Sequence, residues 1–333
     1  MTMTAPAARL KFLFPGWFAV VMGLSGLALA WNRAAPLMGD AAADVALVLG
    51  VLAAAIFVVL AAAALLRWQR HAEAWQEDLK HPVRHTFVAA IPISLILLAT
   101  VAVALGQRGA GVAVLWWLGA LSQFALTLWV LARWWRGNQP GGLQWASATP
   151  ALFIPVVGNV LVPLAGVPLE QAAWAAAQFG AGLLFWPVVM ILIVVRIGMQ
   201  GLWPERLLPA SFIFIAPPAV VGLAALQFGA PALVAWGLWG MALFSFAWCA
   251  VLARRIIALP FGMPHWGMSF PLAALAALTL RLAEGGAMAA LGLTLLALAS
   301  LLIAALSLAT LRGLRDGSLL VPEPVPAVQP AAG

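Results

Sequence analysis

Charge is what this chain has least of. Only 8% of its 333 residues are Asp, Glu, Lys or Arg, against roughly 25% in a soluble domain, and 65% are hydrophobic. That excludes a water-soluble globular protein and points to an integral membrane protein. Cysteine is nearly missing too. The single Cys249 lies in an apolar run, so neither a disulfide framework nor a cysteine-based metal site can be built. The four histidines, His71, His81, His85 and His265, have no metal-ligand spacing and fall at span ends. No nucleophile–base motif stands out, and ionisable residues inside the apolar runs are almost absent. Asp44, Glu170, Arg281 and Glu284 all lie near the ends of runs. An enzyme, a cofactor and a metal are therefore not expected. The net charge of +7 would suggest nucleic acid in a soluble protein, but membrane topology accounts for it here and no nucleic-acid partner is expected. Met1–Leu10 leads into the first apolar run without a small-residue cleavage site, so no cleaved signal peptide is expected.

What fills the chain instead is apolar runs of about 20 residues, the length that crosses a bilayer. Ten spans are expected near 14–32, 42–67, 85–106, 111–133, 149–167, 169–195, 207–228, 231–255, 266–283 and 286–311. Short turns at Gly166–Leu169 and Glu284–Gly286 make hairpins of spans 5–6 and 9–10, so the chain reads as five helical hairpins. The basic residues test this count. With a cytoplasmic N-terminus, Arg9, Lys11, Arg67, Arg70, Lys80, Arg84, Arg133, Arg136, Arg196, Arg206, Arg254, Arg255, Arg312 and Arg315 fall inside. Of the 17 basic residues only Arg33, Arg108 and Arg281 fall outside, the asymmetry that the positive-inside rule requires of an even span count with both termini cytoplasmic. The expected organisation is a cytoplasmic segment over 1–13, a ten-helix membrane domain over 14–312 and a disordered Pro/Ala-rich cytoplasmic tail over 313–333. The inner loop Trp68–Arg84, with Glu73, Glu77, Asp78 and Lys80, reads as a solvated helical extension. Abundant Ala and Arg with few Lys suit a GC-rich bacterial genome, and hence the bacterial cytoplasmic (inner) membrane.

Every odd span carries a proline near its start: Pro15, Pro92, Pro155, Pro217 and Pro271. Proline removes a backbone hydrogen bond, and within lipid that loss must be made good by neighbours or by a water-filled cavity. Helix kinks are expected at Pro92, Pro155, Pro217 and Pro271. One such proline usually means a packing kink. Recurrence beside phenylalanine, small residues and single hydroxyls in all five odd spans points instead to a conduit. The polar candidates are Ser94, Asn159, Ser211 and Ser269, and the even spans, rich in Leu, Ala, Val and Trp, read as lipid-facing or bracing. Of the 17 tryptophans, Trp31, Trp68, Trp134 and Trp135 read as interfacial anchors.

Five strings then become informative together. They are Phe14-Pro15-Gly16-Trp17-Phe18 running on to Gly23-Leu24-Ser25-Gly26, His81-Pro82-Val83-Arg84-His85-Thr86-Phe87 before Ile91-Pro92, Pro150 to Pro155 leading to Gly158-Asn159, Leu208-Pro209-Ala210-Ser211-Phe212 before Pro217-Pro218, and Ser269-Phe270-Pro271-Leu272 before Arg281. In this order, from Phe14 to Arg312, the chain resembles the tellurite-resistance/dicarboxylate transporter family, the TehA-like relatives of plant slow-type anion channels. The resemblance implies an all-α membrane fold of five hairpins around a pseudo-fivefold pore, odd helices inside and even helices outside. It also implies a homotrimer with one pore per subunit, and a gate phenylalanine in span 9, here Phe270. Other pore-lining aromatics would match Phe18, Phe87, Phe153 and Phe212.

The function expected from this is gated, passive permeation of small monovalent anions. A pore without fixed intramembrane charge binds anions weakly, which favours throughput over capture. Selection then follows dehydration cost, nitrate or iodide ahead of fluoride. The alternative is a secondary transporter exporting a C4-dicarboxylate, sulfite or tellurite-type oxyanion. The expected partners are thus small inorganic or organic anions and the lipid bilayer.

Overall fold

The structure, a computed structural model, describes residues 9–137, 139 and 141–321. Residues 1–8 of the expected N-terminal segment and 322–333 of the expected tail lie outside the described residues. All regular structure among the described residues is helical. Eight helices are long and apolar enough to cross a membrane: Pro15–Met38, Asp40–Arg70, Arg84–Ala104, Ala110–Trp134, Ala172–Gln200, Glu205–Gln227, Ala232–Ala250 and Gly286–Asp316. The runs expected at 149–167 and 266–283 are shorter. Pro155, Gly158 and Pro163 break the first into α6 (Phe153–Val157), a 3-10 turn Gly158–Leu161 and α7 (Pro163–Gly166). The second is α12 (Ser269–Leu282), 14 residues long or about 21 Å, preceded by a six-residue 3-10 segment Met263–Met268 that adds about 12 Å. Only the two together reach the roughly 30 Å of a hydrocarbon core.

The remaining elements are α1 (Ala19–Met38), α2 (Asp40–Arg70), α3 (Ala72–Lys80), α4 (Ala90–Ala104), α5 (Ala110–Trp134), α8 (Ala172–Gln200), α9 (Ala216–Gln227), α10 (Ala232–Ala250), α11 (Ala253–Ile257) and α13 (Gly286–Asp316). Helix α1 packs on α2, α4 on α5, α9 on α10 and α12 on α13, and the broken stretch 150–166 packs on α8. The turn from α12 to α13 is tight because Gly285 and Gly286 take φ of +130° and +59°, which a side chain would strain. A second set of contacts joins α1 to α4, α4 to α7, α7 to α9, α9 to α12 and α12 back to α1. Burial separates the two sets of helices. The best apolar windows of Pro15–Met38, Arg84–Ala104 and Glu205–Gln227 are 67–83% buried, whereas those of the five partner helices are 22–39% buried. In the latter one stripe faces protein, and small residues are frequent in it, such as Ala42, Ala46, Gly50 and Ala53 in α2.

The odd-span prolines do not kink running α-helices. A 3-10 segment begins the expected odd spans, at Pro15–Phe18, Arg84–Ala89, Pro150–Leu152, Glu205–Ile215 and Met263–Met268. An α-helix follows, and Pro92, Pro155, Pro217 and Pro271 sit in its first turn. There the absent N–H would have no i−4 partner in the α-helix, so proline fixes where the α geometry starts at little cost. Pro15 is the first residue of its own 3-10 segment.

Two expectations for the ends change. Helix α13 runs to Asp316 and stops at Gly317 in the left-handed conformation. The Leu319 N–H then bonds back to the Gly313 carbonyl at 3.0 Å, and Leu319 is buried, so the tail is ordered packing up to Val321. The loop Trp68–Arg84 does form a helix, α3, but Asp78 on it is fully buried rather than solvated, because two arginines enclose it.

Candidate functional site

A cavity of about 440 Å³ runs into the bundle from one end. Its wall is built from the stretches just described as 3-10 segment plus first α turns. Gly16, Ala19 and Met22 come from the first, Phe87, Ala90 and Ile93 from the second, and Phe153, Val157 and Leu161 from the third. Ile213, Pro217 and Val220 come from the fourth, and Trp266, Phe270 and Pro271 from the fifth. No residue of α2, α5, α8, α10 or α13 lines it. The lining stops at Met22, Ile93, Leu161, Val220 and Pro271, and farther along α12 Ala274, Leu275, Ala277, Leu278 and Thr279 are packed in protein.

Of the expected pore aromatics, Phe87, Phe153 and Phe270 are on this wall. Phe18 and Phe212 are not. Phe18 stacks edge-on against Phe57 of α2 (5.6 Å between centroids), and Phe212 meets Phe246 of α10 at 6.4 Å. Both lie in 3-10 segments, whose three-residue turn rotates the register that a 3.6-residue period assumes, and their neighbours Ala19 and Ile213 face the cavity instead. Phe12, Phe14 and Phe261 also line the wall and were not anticipated. Pro217 and Pro271 contribute to it, whereas Pro92 and Pro155 are buried off it.

The Phe270 ring rests on span 1. A Cβ built at Gly26 would lie 2.8 Å from Phe270 Cδ2, and one built at Gly23 would lie 2.8 Å from Ser269 Cβ. These two glycines let α1 approach α12 closely enough for the ring to sit between them and the cavity.

The four polar candidates lie off the wall. Ser94 Oγ donates to the Ala90 carbonyl (2.7 Å), and Ser269 Oγ donates to Trp266 (2.6 Å). Ser211 is buried beside Cys249, whose thiol donates to the Ser211 carbonyl at 3.2 Å. Asn159 sits at the centre of a repair network for the broken stretch. Its Nδ2 donates to Val156 O (3.1 Å) and Thr127 Oγ1 (2.8 Å), and Thr127 Oγ1 donates to Pro155 O at 2.7 Å. Gln123 Nε2 reaches Ile154 O and Pro155 O, and Gln178 Nε2 donates to Asn159 Oδ1 at 2.8 Å. Trp174 Nε1 in turn donates to Gln178 Oε1. Side chains of α5 thus satisfy carbonyls that the prolines and glycine of 150–166 leave without helical partners, as an apolar surround demands, and Gln178 of α8 holds Asn159 in place. Tryptophans act the same way: Trp116 Nε1 donates to Val162 O, Trp266 Nε1 to Thr310 Oγ1 and Trp31 Nε1 to Ser300 Oγ. Trp68 and Trp135 are exposed, as anchors should be.

The charged groups on the cavity are basic and confined to its mouth. Arg84, Arg206, His81 and His265 line it there, and no described carboxylate does. His265 Nδ1 lies 3.0 Å from the Gly262 carbonyl. Among the described residues no cluster of His, Cys, Asp or Glu could hold a metal ion.

A one-ended cavity with basic groups at its mouth and an apolar wall without a carboxylate among the described residues suits anions. Comparison with known proteins agrees. Residues 13–311 match the family described as SLAC1, voltage-dependent anion channel. The chain belongs to that family. Relatives include the tellurite resistance protein TehA homolog of Haemophilus influenzae, 23% identical over 92% of both chains. An uncharacterized transporter of Methanocaldococcus jannaschii is 24% identical over 80% of this chain and 82% of its own length. The S-type anion channel SLAH3 of Arabidopsis thaliana is 24% identical over 80% of this chain and 42% of its own. The protein is a membrane protein of an anion channel and transporter family, as the five sequence strings indicated.

Proposed function

We propose that the chain is a gated, passive channel for small monovalent anions. Ten spans would form five hairpins around a pseudo-fivefold axis, with the wide cavity facing the cytoplasm and both termini on that side of a bacterial inner membrane. The observation that carries this reading is the cavity itself: five stretches contribute to its wall, the charged groups that line it among the described residues are basic, and Phe270 lies at its closed end. The charge asymmetry between loops supports the orientation. Phe270 is the gate, because a ring held against Gly26 can block a narrow apolar passage and exclude water from it, and a rotamer change would open it. The homotrimer is proposed from the family resemblance alone.

In planar-bilayer recordings Phe270→Ala raises anion conductance, with nitrate and iodide passing more readily than fluoride. An unchanged current from a folded variant would sink the gate assignment. The alternative, a secondary transporter of a C4-dicarboxylate, sulfite or tellurite-type oxyanion, is favoured by the names of the tellurite-resistance and transporter relatives. A carrier would need compensating polar groups on the pathway; Ser94 and Asn159 are engaged elsewhere, and Ser211 is buried off the cavity wall. Saturating flux with a dependence on the proton gradient in liposomes would decide for the carrier.

A further inference from the structure

We propose that Arg84 is a pre-positioned anion-capture site at the cavity mouth, and that the buried Asp78 holds it there, braced by Arg67. The inference rests on the reading of the cavity as an anion pathway.

Asp78 and Arg67 are buried, at 0% and 1% side-chain exposure, and Arg67 Nη1 lies 2.7 Å from Asp78 Oδ2. Arg84 Nη1 lies 3.0 Å from Asp78 Oδ1, and the Arg84 side chain is 27% exposed and lines the cavity. One carboxylate is thus shared by two guanidinium groups, and of the two Arg84 reaches the cavity. The assembly is tied from several directions. Arg67 donates through Nε to the Lys11 carbonyl (2.9 Å) and through Nη2 to the Ala74 carbonyl (3.2 Å). Arg133 Nη1 donates to the Leu79 carbonyl at 2.7 Å. His81 Nδ1 accepts the backbone N–H groups of Val83 and Arg84 at 3.1 and 3.0 Å, fixing the turn that carries Arg84. An arginine serving only as a topological marker needs none of this. A buried carboxylate costs desolvation energy, and here that cost is met by a fixed geometry at the one place where an anion enters.

One unit charge about 7 Å from an anion in water changes its local concentration about threefold, and salt screens the effect. The probe is nitrate, in planar-bilayer recordings of wild type and of the Phe270→Ala background. At about 10 mM ionic strength, where the screening length is about 30 Å, Arg84→Gln lowers the nitrate current entering from the Arg84 side about threefold. At about 1 M, where the screening length is about 3 Å, it changes nothing. Arg84→Lys keeps most of the low-salt current. Asp78→Asn removes a negative charge yet lowers the low-salt current, because Arg84 loses its anchor.

Equal low-salt currents for wild type and folded Arg84→Gln would overturn the capture site, and so would an equal loss at both salts, which marks a structural defect. A rise in Asp78→Asn would overturn the positioning role. If Arg84→Gln does not fold, unmutated protein gives the answer. A nitrate current from the Arg84 side that shows no low-salt excess over the opposite side overturns the proposal. Absence of any nitrate current, even in Phe270→Ala, refutes the anion-channel reading itself and so separates the two failures.

Discussion

Gly26→Ala adds one methyl group where the structure leaves no room for it. The new carbon would lie 2.8 Å from Phe270 Cδ2, 3.3 Å from Ala273 Cβ and 3.4 Å from Phe270 Cε2, whereas carbon contacts are optimal at about 3.5–4.0 Å. Helix propensity favours alanine over glycine by about 1 kcal/mol. Overpacking opposes it by about 1–3 kcal/mol, so Gly26→Ala alone is neutral to destabilising by about 2 kcal/mol. With Phe270→Ala already in place the ring atoms are gone, and of the three nearest contacts the 3.3 Å one to Ala273 remains. The same substitution then stabilises, by up to about 1 kcal/mol. The double-mutant cycle, measured by denaturant unfolding in detergent micelles, gives a coupling of about 1–3 kcal/mol. The conductance of Gly26→Ala falls as well, since the ring can yield only toward the cavity. Independent sites add to within about 0.5 kcal/mol, so a coupling below that value would refute the claim that Gly26 seats the Phe270 ring.

Gln178→Leu strands Asn159 Oδ1, the Ala120 carbonyl and the Trp174 N–H, and lowers stability by about 1–2 kcal/mol in thermal unfolding; no loss would show that the network is not needed to close the broken stretch. Asp78→Ala leaves Arg67 charged and buried without its carboxylate, and costs about 3–5 kcal/mol; a cost near that of an exposed ion pair would contradict its burial.

Much of the wall was legible as sequence, because the odd-span prolines and the strings around them mark each stretch. Phe87, Phe153 and Phe270 line the cavity. Phe18 and Phe212 miss it because nothing local announces that the chain opens those spans in 3-10 geometry, and about 20° per residue turns a ring from the cavity to the neighbouring helix. The hydroxyl and amide candidates misled for another reason. A lone polar residue in an apolar helix looks the same whether it faces a conduit or repairs a carbonyl, and its partner (Gln178 for Asn159, 19 residues away) is chosen only by packing.

Composition alone determined that this chain lives in a bilayer, since so few charges cannot solvate a folded surface. The spacing of its apolar runs determined most of the spans, because bilayer thickness sets their length. Only the tertiary structure decided that two spans are short and repaired by their neighbours, and that Asp78 leaves the solvated loop to hold Arg84. It also decided that Gly26 exists to admit a phenylalanine ring. Each of these depends on which distant side chain fills the space, and that is fixed by close packing between helices, a property that no local stretch of sequence carries.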